Sequence, residues 1–483
     1  MSGSTRQTRL SPVRWTALDT ILVTLLTALA GALRFRGITS PGAFVFDEFY
    51  ASDACLYVRG PHAHCLTDAE ISMVHPPLGK WLIGIGIRMF DFTPGGWRVA
   101  PLVAGTLCVA VLYLLARRLL GSTLGASVAA GLLTFDLLHF VMSRSAMLDI
   151  FVVFFGLLSF LCLLYDRDRD FDTLRTPASP VTLLQRLRER RWLFGAGLAG
   201  GAAMASKWSG AYLLALVAVL AFLHGVARRG GEHRYRHTAR EEGALLLVAL
   251  VLVPAVVYMT SYAGVLDGRL LAWPWQDGSW AHAFVARQQL MLEHHTGPLY
   301  NHPYASPAWS WLLLKRPVLF YFHEPRSGGF QEILALGNPL VWWTGLLALA
   351  VATWRMLRQR SVLAPETIIL AGFAAGYLPW LLITRREAFL YYVLPAVPFL
   401  CLALAHVVAS ISARVIRTIA IGGLVVASIG MFYFFRPILV GKTLSYWQWE
   451  RRVLFKDCGL SPSDIPRKPI TKLGTPIKGW CWL

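Results

Sequence analysis

The stretch Trp97 to Arg118, WRVAPLVAGTLCVAVLYLLARR, decides what kind of molecule this is. From Val99 to Ala116 it carries no charge, and about twenty such residues in a helix cross a hydrocarbon core of about 30 Å. The pair Arg117 and Arg118 closes the run with positive charge. Comparable runs lie at Leu18 to Leu33, Leu124 to Phe140, Asp149 to Tyr165, Trp192 to Ala205, Ala211 to Val226, Gly243 to Tyr262, Asn338 to Trp354, Thr367 to Thr384, Phe389 to Ser410 and Thr418 to Pro437. With Trp97 to Ala116 they predict an all-α polytopic membrane protein of about eleven transmembrane helices.

Composition agrees. The 483 residues are 55% hydrophobic and 15% charged, against roughly 25% charged in soluble domains. In a soluble protein the net charge of +19 would point to nucleic acid, but the placement of the charges points to topology and to no nucleic-acid partner. Arginines follow alternate apolar runs, at Arg117 and Arg118, Arg186 to Arg191, Arg228 to Arg240, Arg355 to Arg360, and Arg414 and Arg417. With Arg6, Arg9 and Arg14 they mark one face as cytoplasmic. The N-terminus is then inside and the C-terminus outside. No small-residue cleavage site closes the first run before Arg34, so it is read as a retained helix.

This divides the chain into a transmembrane domain at 1–438 and an external tail at 439–483. Between the crossings lie a first external loop at 35–96 and a larger external loop at 263–336, crowded with Trp, His and Pro, which suits a cover on the membrane surface. Lys80 and Arg88 interrupt Leu78 to Phe92, so that segment reads as a helix lying in the interface, and Phe44 to Arg59 reads similarly. Cys55, Cys65, Cys458 and Cys481 fall in external segments where disulfides form. Four such cysteines allow three connectivities, of which 55–65 is the short-range one.

Cations on the outer face run against the topological bias. Arg144, Lys207, Arg385 and Arg386 sit in short external segments, Lys80 on the interfacial helix and Arg98 at a helix start. One reading pairs them with Asp47, Glu48, Asp149 or Glu387; together they also fit an anionic ligand from the membrane, such as a lipid phosphate. Asp47-Glu48 lies among aromatics in Phe-Val-Phe-Asp-Glu-Phe-Tyr, which suits a base accepting a hydroxyl proton. A helix cap, or an ion pair with Arg34 or Arg36, is the structural alternative. His75-Pro76-Pro77-Leu78-Gly79-Lys80 reads as a turn into a helix whose N–H groups favour phosphate. His294, His295 and His302, with Glu293, are the candidates for a divalent metal, but their spacing matches no standard zinc motif.

The segments Phe46-Asp47-Glu48, His75 to Lys80, Ser206-Lys207-Trp208-Ser209-Gly210, His302-Pro303-Tyr304-Ala305-Ser306, Gly337-Asn338-Pro339 and Phe389 to Pro395 together resemble the ordered motifs of the protein O-mannosyltransferases. The resemblance implies a GT-C glycosyltransferase. Its donor would be polyprenyl- or dolichyl-phosphate mannose, and its acceptors Ser or Thr hydroxyls of proteins emerging from the translocon. It implies Asp47 as base, Arg98 and His75 through Lys80 near the lipid phosphate, and inversion at the sugar with no metal required. The loop at 263–336 is too short for the β-trefoil domain of fungal and animal members, so the chain resembles the bacterial form, in the cell membrane. His302, Tyr304 and Ser306 stand on the acceptor side. A GT-C transferase with a lipid or lipid-linked glycan acceptor would share the donor chemistry. A transporter fits less well, because the polar residues collect at one face and no inverted repeat is visible.

Overall fold

The computed structural model describes residues 14–60, 63–65, 74–173, 188–229, 232–262, 280–297, 302–383, 387–458 and 479–483. Arg385 and Arg386 lie outside them. The chain is mostly helical, and the eleven apolar runs are all largely helical, one of them in two pieces. Among the described residues nine helices are long and apolar enough to cross a membrane. They are α1 (Ala17–Phe35), α4 (Pro94–Leu120), α7 (Asp149–Thr173), α9 (Gly210–Arg228), α10 (Arg234–Thr260), α12 (Pro339–Gln359), α13 (Pro365–Leu382), α14 (Leu390–Ala409) and α15 (Arg414–Phe435). Two are shorter, α5 (Thr123–Thr134) and α8 (Arg191–Ser206). At about 1.5 Å per residue they fall short of a full crossing.

Local chemistry sets the ends. Thr16 and Asp19 form a capping box on α1, and Thr93 caps α4 ahead of Pro94. The run Leu124 to Phe140, expected as one span, is broken into α5 and α6 (Leu137–Met142) at Phe135-Asp136. The reason is the Asp136 carboxylate. Its Oδ1 accepts from His139 N at 2.9 Å as an N-cap, and its Oδ2 accepts from Trp342 Nε1 at 2.8 Å. Asn338, in the Gly-Asn-Pro motif, donates its amide to Phe135 O and Ser428 O, so the break joins α5, α12 and α15. The most buried spans are α7 and α14, while α1 and α15 present most of their surface outward.

Two short helices, α2 (Tyr50–Arg59) and α3 (Leu78–Phe90), pack on each other and on the start of α4. In the long loop, α11 (Trp280–Thr296) rests on the end of α10, where Trp208 Nε1 and the Tyr258 hydroxyl meet at 2.8 Å and Tyr258 donates to Gln288 at 2.6 Å. The loop also departs from the all-α expectation. Residues Val318–His323 (β1) and Gln331–Ala335 (β2) form an antiparallel hairpin, turned at Gly328 and Gly329, which both have positive φ. Aromatic and branched residues around a Gly-Gly turn favour this, a period that the loop's Trp, His and Pro content hides. The last short helix, α16 (Tyr446–Glu450), packs Trp449 against Phe330 of the hairpin.

Candidate active site

The Asp-Glu pair sits in a turn fastened from several sides. Val45 N donates to Glu48 Oε2 at 3.0 Å, and Glu48 N returns a bond to Val45 O at 3.0 Å. Phe46 takes φ of 44°, a left-handed conformation that a bulky side chain avoids unless its surroundings impose it. Here the hairpin does so. The β1–β2 register shifts between Leu319 and Tyr321, and Phe320 O at that bulge accepts Phe46 N at 2.9 Å. A bulge takes a residue out of the ladder and re-aims it. The Phe46 ring stacks on Phe320 at 4.9 Å and meets the edges of Phe389, Tyr391 and His302.

Asp47 follows. Its Oδ2 accepts from the Tyr391 hydroxyl at 3.3 Å. Glu48 is fully buried and accepts four bonds: Arg98 Nε at 2.7 Å and Ala146 N at 2.9 Å on Oε1, Arg98 Nη2 at 2.7 Å and Val45 N on Oε2. Arg98 uses its remaining N–H groups on Ile38 O, Pro41 O and Ala43 O, so all five of its donors engage protein oxygens. Neither Arg34 nor Arg36 is the partner of Glu48. Arg144 binds Arg34 O, Arg36 O at 3.0 Å and Gly37 O at 2.7 Å, holding the chain that leaves α1. Burial first, then the Arg98 charge, lowers the Arg144 guanidinium to about 10.

Two lysines stand near the turn, each on a carboxylate. Lys80 is fully buried, 2.7 Å from Asp53, so the charge expected to stay at an interface is buried by pairing. Lys207 ends α8 and donates to both Asp149 oxygens at 2.9 Å, with the Tyr392 ring 4.7 Å from its ammonium. Asp149 occupies the first turn of α7, where the helix dipole favours a negative charge. Gly210 lets this corner close: a Cβ there would stand 2.3 Å from the Ala203 carbonyl carbon. Tyr50 ties the groups together. Burial, and then Asp47, Tyr392, Asp149 and Asp53, push its phenol well above its ordinary value. His75 lies between the Tyr50 ring at 5.6 Å and the His295 ring at 5.2 Å.

The acceptor-side candidates form a separate wall. His302 N donates to Glu387 Oε1 at 2.6 Å, Ser306 N donates to Ala388 O at 2.9 Å, and Ser306 Oγ accepts from Trp311 Nε1 at 3.1 Å. Tyr304 is buried under the Arg316 guanidinium, 4.2 Å from its ring. Burial, with Arg316 beside it, lowers the His302 pKa and favours the neutral ring. Among the described residues no three His, Cys, Asp or Glu side chains converge to hold a metal ion. Cys55 is bonded to Cys65, and Cys458 to Cys481.

Neither Asp53 as the partner of Lys80 nor Tyr391, Tyr392 and Phe320 as neighbours of the turn is apparent from the sequence. The paired tyrosines inside Phe389 to Pro395 were the available signal. Phe320 had none, because a bulge depends on strand register.

Comparison with known proteins supplies the context. Residues 24–263 match the family model described as dolichyl-phosphate-mannose-protein mannosyltransferase, and residues 280–458 match that of the C-terminal four TMM region of protein-O-mannosyltransferase. The polyprenol-phosphate-mannose–protein mannosyltransferase of Corynebacterium glutamicum is 30% identical over 92% of this chain and 94% of that protein. Its counterpart in Mycobacterium tuberculosis H37Rv is 29% identical over 89% and 90%. Among solved structures, the Saccharomyces cerevisiae protein O-mannosyltransferase Pmt1-Pmt2 complex bound to the sugar donor aligns with a TM-score of 0.71, at 16% identity over 91% of this chain and 92% of that chain. ArnT from Cupriavidus metallidurans bound to undecaprenyl phosphate gives 0.53, at 16% identity over 87% and 77%. At these identities the structures speak for a shared GT-C fold.

Proposed function

The chain belongs to the protein O-mannosyltransferases, and from that premise we propose how its own residues carry the reaction. It is a multi-pass membrane glycosyltransferase that moves mannose from a polyprenyl-phosphate carrier to protein. Asp47 is the base. It takes the proton of a Ser or Thr hydroxyl as that oxygen bonds to the anomeric carbon. The bond from that carbon to the phosphate oxygen breaks on the opposite side, giving an inverted mannoside and polyprenyl phosphate.

One observation supports this above the others: Asp47 is held by Tyr391 in a turn whose backbone is strained and fastened to Glu48, Arg98 and Phe320. A base works when it is placed within hydrogen-bond reach of its proton, and fixing the turn fixes that reach. Glu48 and Arg98 serve as the fastening. In this reading Arg98 and Glu48 meet each other, the pairing alternative for these charges, and neither the phosphate nor the proton passes to them.

The phosphate charge falls to Lys80 and Lys207. A lysine ammonium has three N–H donors, and two of those on Lys207 engage Asp149. Such fixed cations stabilise charge that grows on the leaving oxygen. His75 adds a partner beside Tyr50, with Arg144 as a further cation, and His302, Tyr304 and Ser306 line the acceptor approach. No step runs through a metal, and His294 and His295 have no part in the chemistry. The site faces away from the cytoplasm at the plasma membrane, where the translocation machinery supplies unfolded acceptor chains. The test is transfer by the purified protein from radiolabelled polyprenyl-phosphate mannose to a Ser/Thr/Pro/Ala-rich peptide. Labelled peptide is expected, and its β-eliminable label should disappear in Asp47→Asn. Label recovered only in lipid would overturn the protein acceptor.

A further inference from the structure

The final residues of the chain are built into the wall that carries His302 to Ser306. Cys481, Trp482 and Leu483 are almost wholly buried. Cys481 N donates to Lys315 O at 2.9 Å, and Trp482 Nε1 donates to Leu314 O at 2.7 Å, at a residue whose φ is +56°. Arg316 Nη1 reaches Cys481 O at 2.9 Å and Leu483 O at 2.8 Å, and the Tyr304 hydroxyl donates to Leu483 O at 3.2 Å. The same guanidinium donates through Nε to Pro303 O at 3.0 Å. Its side chain therefore bridges the segment 479–483 and the turn containing Tyr304.

On its other side this turn touches the catalytic centre. The His302 ring stands 5.9 Å from the Phe46 ring and 5.0 Å from Phe389. The segment 479–483 is itself anchored where Trp482 N donates to Phe455 O at 3.0 Å and where Cys481 is bonded to Cys458. Contacts thus run without a gap from Cys458 to Cys481, Arg316, Tyr304, His302 and Phe46, the residue before Asp47.

We infer that residues 479–483 are a brace that sets the acceptor-side turn against Asp47, and that the Cys458–Cys481 bond keeps the brace seated. The inference rests on the reading of Asp47 as the base. Arg316, Trp482 and the two cysteines are positioning residues; none meets the reacting atoms. Loss of the brace lets the turn move, and the reactant that feels the movement is the peptide. The lipid donor is assigned to Lys80 and Lys207, whose contacts with Asp53 and Asp149 do not involve the brace.

The experiment measures steady-state transfer by the full-length purified protein, varying polyprenyl-phosphate mannose and a Ser/Thr peptide in turn, with thermal melting alongside. Wild type, Asp47→Asn, Cys458→Ser and Trp482→Phe are compared. Trp482→Phe keeps a ring in place while removing the bond to Leu314 O and part of the buried indole, so it carries the test if Cys458→Ser does not fold. The expected result is a peptide KM raised about fivefold or more, the scale of one lost hydrogen bond, with the donor KM near wild type and the melting of Trp482→Phe lowered only modestly by the smaller ring. An unchanged peptide KM overturns the brace. So does an equal rise in both KM values with lowered melting, which signifies general loosening. If Asp47→Asn retains the wild-type rate, the base assignment fails; a raised peptide KM in the two brace variants would then still support the brace.

Discussion

Arg98 grips Glu48 through two parallel bonds of 2.7 Å, with both side chains buried. This pair joins the start of α4 to the turn that presents Asp47, and Glu48 passes the grip on to Ala146 just ahead of α7. Glu48→Gln leaves Arg98 charged and buried without its partner, a change that costs about 3–5 kcal/mol. Melting of the purified variant should fall clearly and transfer with it. If Glu48→Gln melted like wild type, the pair would not be the fastening described here.

Asp47→Asn keeps the shape of the side chain and removes the base, so the transfer rate should drop by about 10² or more while melting stays near wild type. Tyr391→Phe removes only the hydroxyl that Asp47 Oδ2 accepts; a smaller loss, about tenfold, is expected. Retention of more than about a tenth of the rate in Asp47→Asn would remove Asp47 as the base.

The two buried lysines should act on the donor. Lys80→Met and Lys207→Met are each expected to weaken binding of polyprenyl-phosphate mannose and to slow turnover, since the same charge meets the phosphate before and during departure. Chelation should leave the rate unchanged. If EDTA abolishes transfer and Mg²⁺ or Mn²⁺ restores it, the phosphate charge is balanced by a metal and not by the lysines.

Non-reducing peptide mapping of protein taken from its native membrane should recover Cys55 joined to Cys65 and Cys458 joined to Cys481. Free thiols at these four positions would argue against both bonds and against an oxidising compartment for these loops.

Glu332 gives a pH dependence of stability. It is buried in β2 with Trp449 Nε1 donating to it at 2.6 Å, and burial raises its carboxyl from 4.5 to about 8, the Trp449 bond opposing that rise. Below the lower value both states hold the proton and the site makes no difference. Between 4.5 and about 8 the unfolded chain ionises while the folded one does not, so stability falls as pH rises through this window and levels off above it. Glu332→Gln, which cannot ionise, should show a flatter melting profile from acid to neutral pH. Parallel profiles for variant and wild type would mean that Glu332 ionises normally in the fold.

How far the sequence carried can be judged on particular elements. The helices were legible because a backbone in lipid must satisfy its hydrogen bonds within the segment, and an uncharged run such as Val99 to Ala116 has few other ways to do so. The break at Asp136 was not, because beside the local donor His139 N a buried carboxylate there needs Trp342, 206 residues away. The hairpin was hidden for a related reason: strand pairing and its bulge exist only once two segments are in register.

At the site, residue types alone mark Asp47, Glu48, Lys80, Arg98, Asp149 and Lys207 as one group, since each is a charge in an apolar or externally placed context where charge is costly. Which cation answers which carboxylate was decided by the tertiary structure. Arg98 and Glu48 are 50 positions apart and Lys207 and Asp149 are 58 apart, and Coulomb energy depends on distance in space and on burial, neither of which chain position specifies. Only the packed fold shows that all five donors of Arg98 are taken, because only there are the competing acceptors within bonding distance.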